Sequence, residues 1–525
     1  MKRAFSRATL MSLTTNTTEN YSGHGGLTQR AALLMAANIL ATAMSFALPL
    51  VLVRTMSQAE YGLYKQAFQI MTSALCLLNL QVAVSIFYFY ERAPGKGLQV
   101  SLNVMLFYGM IGALVFLIFL IWPSWVTLIF QGADLVPHVP LLGFAIFCWL
   151  VSSNLDAVPI AAGDVRMASA LIVLSQFTKA VVMIIAGLVF GSLDAILVAA
   201  VIQGLIQITF MVIYIRRRFG RFLTAIDWKL FKSQIGNALP FGVGGIAAIV
   251  QNDMHGYFVS HYFDPARFAI YSVGCFQLPV LSLLAASFAN ALNPELAKYK
   301  EANDYWAIIN IWMDVIRKLT FVFAPAFALL LALRREFITL LFTENYAASV
   351  PIFAINMLSM LLGVAVHLHI LRLFDRLKFF RLKLYLALIP VTFGSLYVGL
   401  RLGGLIGVAV AVVCIQTLDA LVTLAMIKRE LGMSRRDLRR LAPLLRIAAA
   451  AAVAAIGALA TRYSLGHAHT AVTFLACAAV FCLVYPIAAL AMGAVSQEEK
   501  ASLGNLWEGI FRRPARFKAT SATEG

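Results

Sequence analysis

Lys179 lies in the middle of an apolar run, and Gln176 stands one turn before it. Residues three apart share a helix face. A charge at mid-bilayer costs about 2.5–3.5 kcal/mol on insertion scales, so such a lysine needs a partner or a water-filled space. Two readings are open: Lys179 holds an anion in a cavity, or it pairs with an acidic residue such as Asp156. A second charged group is Asp314, Arg317 and Lys318. Their i, i+3 and i, i+4 spacing allows ion pairs along one helix. The two cations either receive an anion or snorkel to a membrane interface. Arg54, at the end of the first apolar run, has the same choice between a ligand and the headgroup region. Asp253 and His255 are titratable groups that can bind a proton, together with Asp156, or serve as polar contacts between helices. Being two apart, Asp253 and His255 are expected on different helix faces. His367, His369 and Asp419 are read as packing or interface residues. Pro240, Gly242, Gly244 and Gly245 crowd into one run. Backbone groups freed there need a neighbouring helix or water, and both a bending gate and a fixed kink fit.

The elements that carry these residues are membrane spans. Of 525 residues, 61% are hydrophobic and 13% charged, against roughly 25% charged in a soluble domain. Apolar blocks of about 20 residues cross a bilayer. The blocks predict spans at 29–53, 65–89, 100–122, 137–160, 167–190, 193–215, 236–260, 268–291, 309–333, 347–371, 380–400, 403–426, 443–461 and 470–493. The polar N-terminus has no apolar core of the kind a signal peptide carries. With the N-terminus in the cytoplasm, and cations within about four residues of a span end counted with the adjoining loop, 32 Lys and Arg fall on the inner side, 7 on the outer side, and Lys179, Arg317 and Lys318 deeper within spans. Inner loops carry the excess of Lys and Arg in membrane proteins, so the split predicts this orientation with both termini inside. The net charge of +18 is therefore a topology signal directed at anionic lipids, and no nucleic-acid partner is expected. The six cysteines lie within apolar runs, lack metal-site spacing, and are expected to be buried free thiols. No metal or cofactor is expected.

The chain also repeats itself. The run 57–64, Ser-Gln-Ala-Glu-Tyr-Gly-Leu-Tyr, returns at 264–271 as Asp-Pro-Ala-Arg-Phe-Ala-Ile-Tyr. Gly191-Ser192-Leu193 returns as Gly403-Gly404-Leu405. These offsets carry span 1 onto span 7, an even number of spans, which keeps the orientation and makes a parallel repeat. The predicted fold is an all-α polytopic membrane protein of about 14 transmembrane helices, in two six-helix parallel repeats plus a C-terminal helix pair. The expected parts are a cytoplasmic tail (1–28), an N-terminal lobe (29–216), a linker (217–235), a C-terminal lobe (236–427), a loop (428–442), helices 13 and 14 (443–493), and an interfacial helix with a basic tail (494–525). That last helix is signalled by the capping box Ser496-Gln497-Glu498-Glu499. The short outer loops oppose a glycosyltransferase or polymerase, and no phosphate-binding loop, zinc-protease or nucleophile-elbow motif is present in a suitable context. The chain is expected not to be an enzyme.

Leu52-Val53-Arg54-Thr55-Met56-Ser57-Gln58-Ala59-Glu60-Tyr61-Gly62-Leu63-Tyr64 resembles the L-x-R-x-L-x-x-x-E-Y/F-G-x-Y signature of the polysaccharide transporter family. The approach to span 7, from Asp227-Trp228-Lys229-Leu230 to Ala238-Leu239-Pro240-Phe241, resembles that family too. These are the O-antigen and exopolysaccharide flippases of the multidrug/oligosaccharidyl-lipid/polysaccharide exporter superfamily. O-antigen flippases typically have twelve spans; the larger number here is similar to that of lipid II flippases. The resemblance covers about 29–427. It implies a flippase of the bacterial inner membrane that moves a polyprenyl-diphosphate-linked oligosaccharide by alternating access. Membrane lipids, the lipid-linked cargo, and the polymerase and glycosyltransferases of the same pathway are the implied partners. Lys179, Gln176, Arg317, Lys318 and Arg54 are then the cavity candidates, Asp253, His255 and Asp156 the coupling candidates, and Pro240, Gly242, Gly244 and Gly245 the gate helix. A drug/cation antiporter of the same superfamily is the rival reading; it calls for an acidic cavity, whereas the mid-span charge here is a lysine.

Overall fold

The structure is a computed structural model. It describes residues 24–495 except 221–225, 366–369, 372, 378, 435–436, 438–440 and 467–468. The predicted interfacial helix, His367 and His369 lie outside the described residues.

Among the described residues every regular element is a helix. Each predicted span falls on one helix or two successive ones. They are α1 (His24–Thr55), α2 (Gln58–Asn79), α3 (Ser85–Arg92), α4 (Gly97–Ile121), α5 (Val139–Val151), α6 (Ala157–Ala161), α7 (Val165–Val189), α8 (Leu193–Phe219) and α9 (Trp228–Tyr262). Then come α10 (Pro265–Gly274), α11 (Pro279–Glu301), α12 (Tyr305–Ala332), α13 (Arg334–Phe342), α14 (Val350–Gly363), α15 (Phe380–Glu430), α16 (Ala442–Leu465) and α17 (Thr470–Ala491). Among the described residues nine helical stretches are long and apolar enough to cross a membrane, Glu344–Gly363 joining α14 to the short turn of helix before it, and α10 with α11 makes a further bent pair. Within α15 the backbone leaves helical geometry at Gly403 and at Gly404, where φ is +56°. That break separates the predicted spans 11 and 12. Ile121, Leu188, Val189, Phe190, Leu402 and Leu475 stand exposed, as suits side chains whose solvent is lipid. Cys76, Cys414 and Cys482 are likewise exposed rather than buried as expected. Lipid is as apolar as a protein core, so an apolar run does not by itself mark a buried thiol.

The repeat is visible in the caps. Ser57 begins α2 at φ −63°, ψ 160°, and its side chain accepts the Glu60 N–H. Asp264 begins α10 at φ −64°, ψ 163°, and accepts the Arg267 N–H. Both side chains occupy one of the donors that a helix start leaves unpaired. The two repeated segments also pack against each other. At Gly62 they come so close that a Cβ would lie 1.8 Å from the Pro265 carbonyl oxygen. Gly242 on α9 also makes a close approach, to the residue that follows α2: its Cβ would lie 2.5 Å from the Leu80 backbone.

Two compact units result. One comprises Met1–Cys275 with Phe379–Val412, the other Phe276–Lys378 with Val413–Gly525. The division falls between α10 and α11, and α9 and α10 pack on α2. In the first unit α1 lies on α7, α4 on α5, and α5 and α7 on α8. In the second, α16 packs on α17 and on α12, around a core that includes Leu333, Ile447, Ala454, Cys477 and Phe481. The ion pair from Arg462 to the buried Glu336, at 2.7 Å, joins α16 to α13.

Asp227 caps α9 through the Leu230 N–H at 3.0 Å and binds Lys96 of the α3–α4 loop at 2.8 Å. The Lys96 hydrogen bond, with that backbone contact, holds its carboxyl below the ordinary carboxylate value. A depressed carboxyl contributes stability that is complete above its unfolded pKa and is lost as pH falls through the lowered folded value. Asp227→Ala will therefore lower the thermal midpoint in detergent at pH 7 and much less at pH 2–3. Asp227→Ser keeps a cap without the ion pair and will fall between. An equal loss at both pH values would show that the charge is not what stabilises.

Candidate functional site

Between α2, α9 and α10 lies a cavity of about 380 Å³ whose lining includes Tyr64, Lys65, Phe68, Asp253, His255 and Tyr271. It is built from the repeated segments themselves, since Tyr64 and Tyr271 hold equivalent places in them. Lys65 is the first residue of the predicted second span. The Ser57 cap instead starts α2 seven residues before the predicted span, and Lys65 stands on its second turn. Its ammonium lies 5.4 Å from the Tyr61 ring and 5.9 Å from the Tyr64 ring. No carboxylate pairs with it among the described residues.

Lys179 lies 4.6 Å over the Trp149 ring. Among the described residues it forms no pair with Asp156, which lines a different cavity together with Gln176. Nor does Lys179 itself line the cavity of Lys65. The two lysines are linked through rings. Tyr64 contacts Phe68 at 4.5 Å, and Phe68 meets Trp149 edge-on at 6.3 Å. One aromatic cluster therefore carries a lysine at each end. Magnitudes separate the two ends. A desolvated cation over a ring gains about 2 kcal/mol at best and less near 6 Å. The tight contact to Trp149 offsets much of the cost of placing Lys179 in a membrane. The long contacts of Lys65 offset less, and water or an anion in the cavity must supply the rest.

Asp253 and His255 share this cavity, although two residues apart. The cavity is wider than one helix face, and each residue turns to a different wall. Asp253 accepts from Ser73 on α2 at 2.5 Å. His255 Nδ1 meets the Tyr271 hydroxyl on α10 at 3.0 Å. Gln251 donates to Thr392 at 2.6 Å.

The remaining candidates have structural partners. Lys318 pairs with Asp314 at 2.6 Å on an exposed face. Arg317 donates to the Ala494 carbonyl at 3.5 Å. Arg54 donates to the Leu50 carbonyl at 2.5 Å, closing the last turn of its own helix. These cations are not brought to the cavity. The run 240–245 does not break α9, which stays helical from Trp228 to Tyr262. Gly242 serves the close approach to Leu80, whereas nothing among the described residues lies within 4 Å of a Cβ at Gly245. The breaks sequence reasoning missed are elsewhere. Leu80 and Gln81 take positive φ between α2 and α3, and 152–156 separates α5 from α6.

The family model described as "Polysaccharide biosynthesis protein" matches residues 27–300. A search of curated proteins finds no match. Among solved structures, the chain is similar to the lipid II flippase MurJ in its inward closed conformation, at TM-score 0.59 and 14% identity over 86% of this chain and 98% of that one. It is similar to a MATE transporter in complex with MaL6, at TM-score 0.55 and 13% identity over 77% of this chain and 96% of that one. A MOP superfamily transporter from Pyrococcus furiosus matches at TM-score 0.52 and 13% identity, over 76% and 94%. At these identities the structural likeness speaks to fold. The family match covers more than half of the sequence, and on it the chain belongs to the polysaccharide biosynthesis protein family, with the fold of the MOP superfamily transporters.

Proposed function

We propose that the chain is a flippase that carries a polyprenyl-diphosphate-linked oligosaccharide across the bacterial inner membrane by alternating access. The observation that carries this reading is the aromatic cluster with Lys65 at one end, beside a cavity, and Lys179 at the other. A diphosphate is an anion that a membrane-embedded ammonium can hold. Aromatic rings offer apolar faces to sugar rings, and a lipid tail can stay in the bilayer. The lipid II flippase with the same fold acts on a lipid-linked cargo, which supports this substrate class. The 32-to-7 split of basic residues supports an orientation with both termini in the cytoplasm. On that orientation the packed segments at Gly62 and Pro265 close the outer side, and the cavity loads from the inside. Polymerase and glycosyltransferases of the same pathway are the expected partners. The rival, a cation antiporter, draws support from Asp253, but that carboxylate is already held by Ser73, and the cavity charge with no ion-pair partner among the described residues is Lys65.

Surface-glycan production in a deletion strain tests the reading. Lys179→Ala, at matched expression, will lower export severalfold, in keeping with the roughly 0.5–2 kcal/mol of a cation–ring contact. Lys179→Arg will keep most of it, because arginine stacks on aromatic faces as well. Lys179→Glu will lose it. Full export by Lys179→Glu would remove this charge from any part in cargo handling.

A further inference from the structure

The second unit buries a carboxylate that its fold uses only in part. Glu336, in the first turn of α13, is 8% exposed. Its Oε1 accepts from Nε of Arg462 on α16 at 2.7 Å. Its Oε2 is buried and meets no hydrogen-bond donor among the described residues. The cations beside it in sequence are engaged elsewhere. Arg335 pairs with Glu344 at 2.8 Å, and Arg334 donates to the Leu331 carbonyl at 2.9 Å. Arg462 is the more accessible partner, its side chain 39% exposed. The Nε–H is one of the five N–H donors of a guanidinium. Glu336 and Arg462 line a cavity of about 480 Å³ with Tyr463, Thr470 and Thr473. One or two waters, at about 30 Å³ each in the liquid, would not fill it.

The lining holds one acid and one base. A lone anion would be repelled by Glu336 and a lone cation by Arg462, whereas a zwitterion can present each charge to its opposite. A buried acceptor without a donor is destabilising, so the ligand should bring an N–H group to the carboxylate. The place narrows the choice further. The cavity lies where α12 turns into α13 and α16 into α17, at the ends of the predicted spans 9 and 13. Leu459, Tyr463 and Leu475 stand exposed there. Tyrosines gather at headgroup depth in membrane proteins, and the apolar side chains beside them face acyl chains. We propose that this cavity holds the headgroup of a phosphatidylethanolamine, with its ammonium donating to Glu336, its phosphate accepting from Arg462, and its acyl chains lying along α16 and α17. Phosphatidylcholine has no N–H to give the carboxylate. Phosphatidylglycerol brings no positive charge to it. The bound lipid would tie the α16–α17 hairpin to α13 beyond the single ion pair. This inference does not depend on what the chain transports.

The test is native mass spectrometry of the full-length protein, delipidated in detergent and titrated with dioleoyl lipids. The wild type is expected to take up a first phosphatidylethanolamine at roughly tenfold lower concentration than phosphatidylcholine or phosphatidylglycerol, as one hydrogen bond to a charged group allows. Phosphatidylethanolamine carrying one or two N-methyl groups keeps an N–H and should still bind; the third methyl removes it and should lose the preference. Glu336→Gln keeps an acceptor for Arg462 and turns the second oxygen into an N–H donor, so the preference should vanish. Leu459→Trp changes an exposed residue of the lining, keeps the ion pair, and obstructs the headgroup. It will weaken binding severalfold in a protein that still folds should Glu336→Gln not. Asp314→Asn, which breaks an exposed ion pair elsewhere, will leave binding unchanged. Equal uptake of the three lipids by the wild type would overturn the proposal, because lipid that merely surrounds the protein ignores the headgroup. A preference that survives Glu336→Gln, or Leu459→Trp where Glu336→Gln does not fold, would overturn it as well. Glycerophosphoethanolamine, the head without tails, should compete only at far higher concentration; competition at equal concentration would overturn the assignment to a lipid.

Discussion

Gly62→Ala will abolish glycan export, and Gly245→Ala will not. Both glycines lie within helices, so alanine should stabilise each helix by up to about 1 kcal/mol when nothing else intervenes. At Gly245 nothing does among the described residues, none of which has an atom within 4 Å of the added Cβ. At Gly62 the Cβ would sit 1.8 Å from the Pro265 oxygen and 2.4 Å from its carbonyl carbon. Backbone atoms cannot rotate away as a side chain can. α2 and α10 must part by roughly 1.5 Å to restore ordinary contact. Overpacking of this kind costs about 1–3 kcal/mol or more and exceeds the gain in helix propensity. On the proposed mechanism the packed arrangement is one of the alternating states, and a bias of a few kcal/mol leaves it almost unpopulated. Export should therefore fall more than tenfold while the protein still inserts, with a lower thermal midpoint in detergent. Gly62→Val should be worse, and Gly245→Ala should match or exceed the wild type in stability. Wild-type export by Gly62→Ala would show that the contact between the repeated segments is dispensable.

The sequence makes the membrane class legible because apolar length is a direct consequence of bilayer thickness. It makes the repeat legible because two capped helix starts need the same residue pattern, and Ser57 and Asp264 adopt the same backbone geometry. It does not show what lies opposite a residue. Gly242 reads as a hinge beside Pro240 until Leu80 is seen against it. Asp253 and His255 read as residues on separate faces until the cavity proves wide enough for both. The i, i+4 spacing of Asp314 and Lys318 allows a pair without requiring it, and the pair forms. The break at Leu80 and Gln81 has neither proline nor glycine to announce it. The break before α6 has a signal that was available, the polar run Ser152-Ser153-Asn154 with Asp156 and Pro159 inside a predicted span.

Lys65 was passed over for a related reason: the predicted span began at Lys65, as if charge marked the interface. The cap at Ser57 was the missed signal, because a helix that starts there carries Lys65 into the span. The largest effect on cargo is expected at this residue. A hydrogen bond to a charged group is worth about 1.5–3 kcal/mol, or roughly 10- to 150-fold in affinity. Lys65→Ala should reduce export by at least tenfold at limiting substrate, and Lys65→Glu should abolish it, since repulsion replaces attraction. Lys65→Arg keeps the charge with altered geometry and should retain a part. The two lysines share the cluster of Tyr64, Phe68 and Trp149. If they act on one head group, Lys65→Ala with Lys179→Ala should depart from the product of the single effects, as contacts within one network do. Surface-glycan yield at matched expression, with binding of a polyprenyl diphosphate to the purified variants, measures both. Export and binding unchanged in Lys65→Glu would exclude an anionic cargo in this cavity, and the acidic wall at Asp253 would then direct attention to cations.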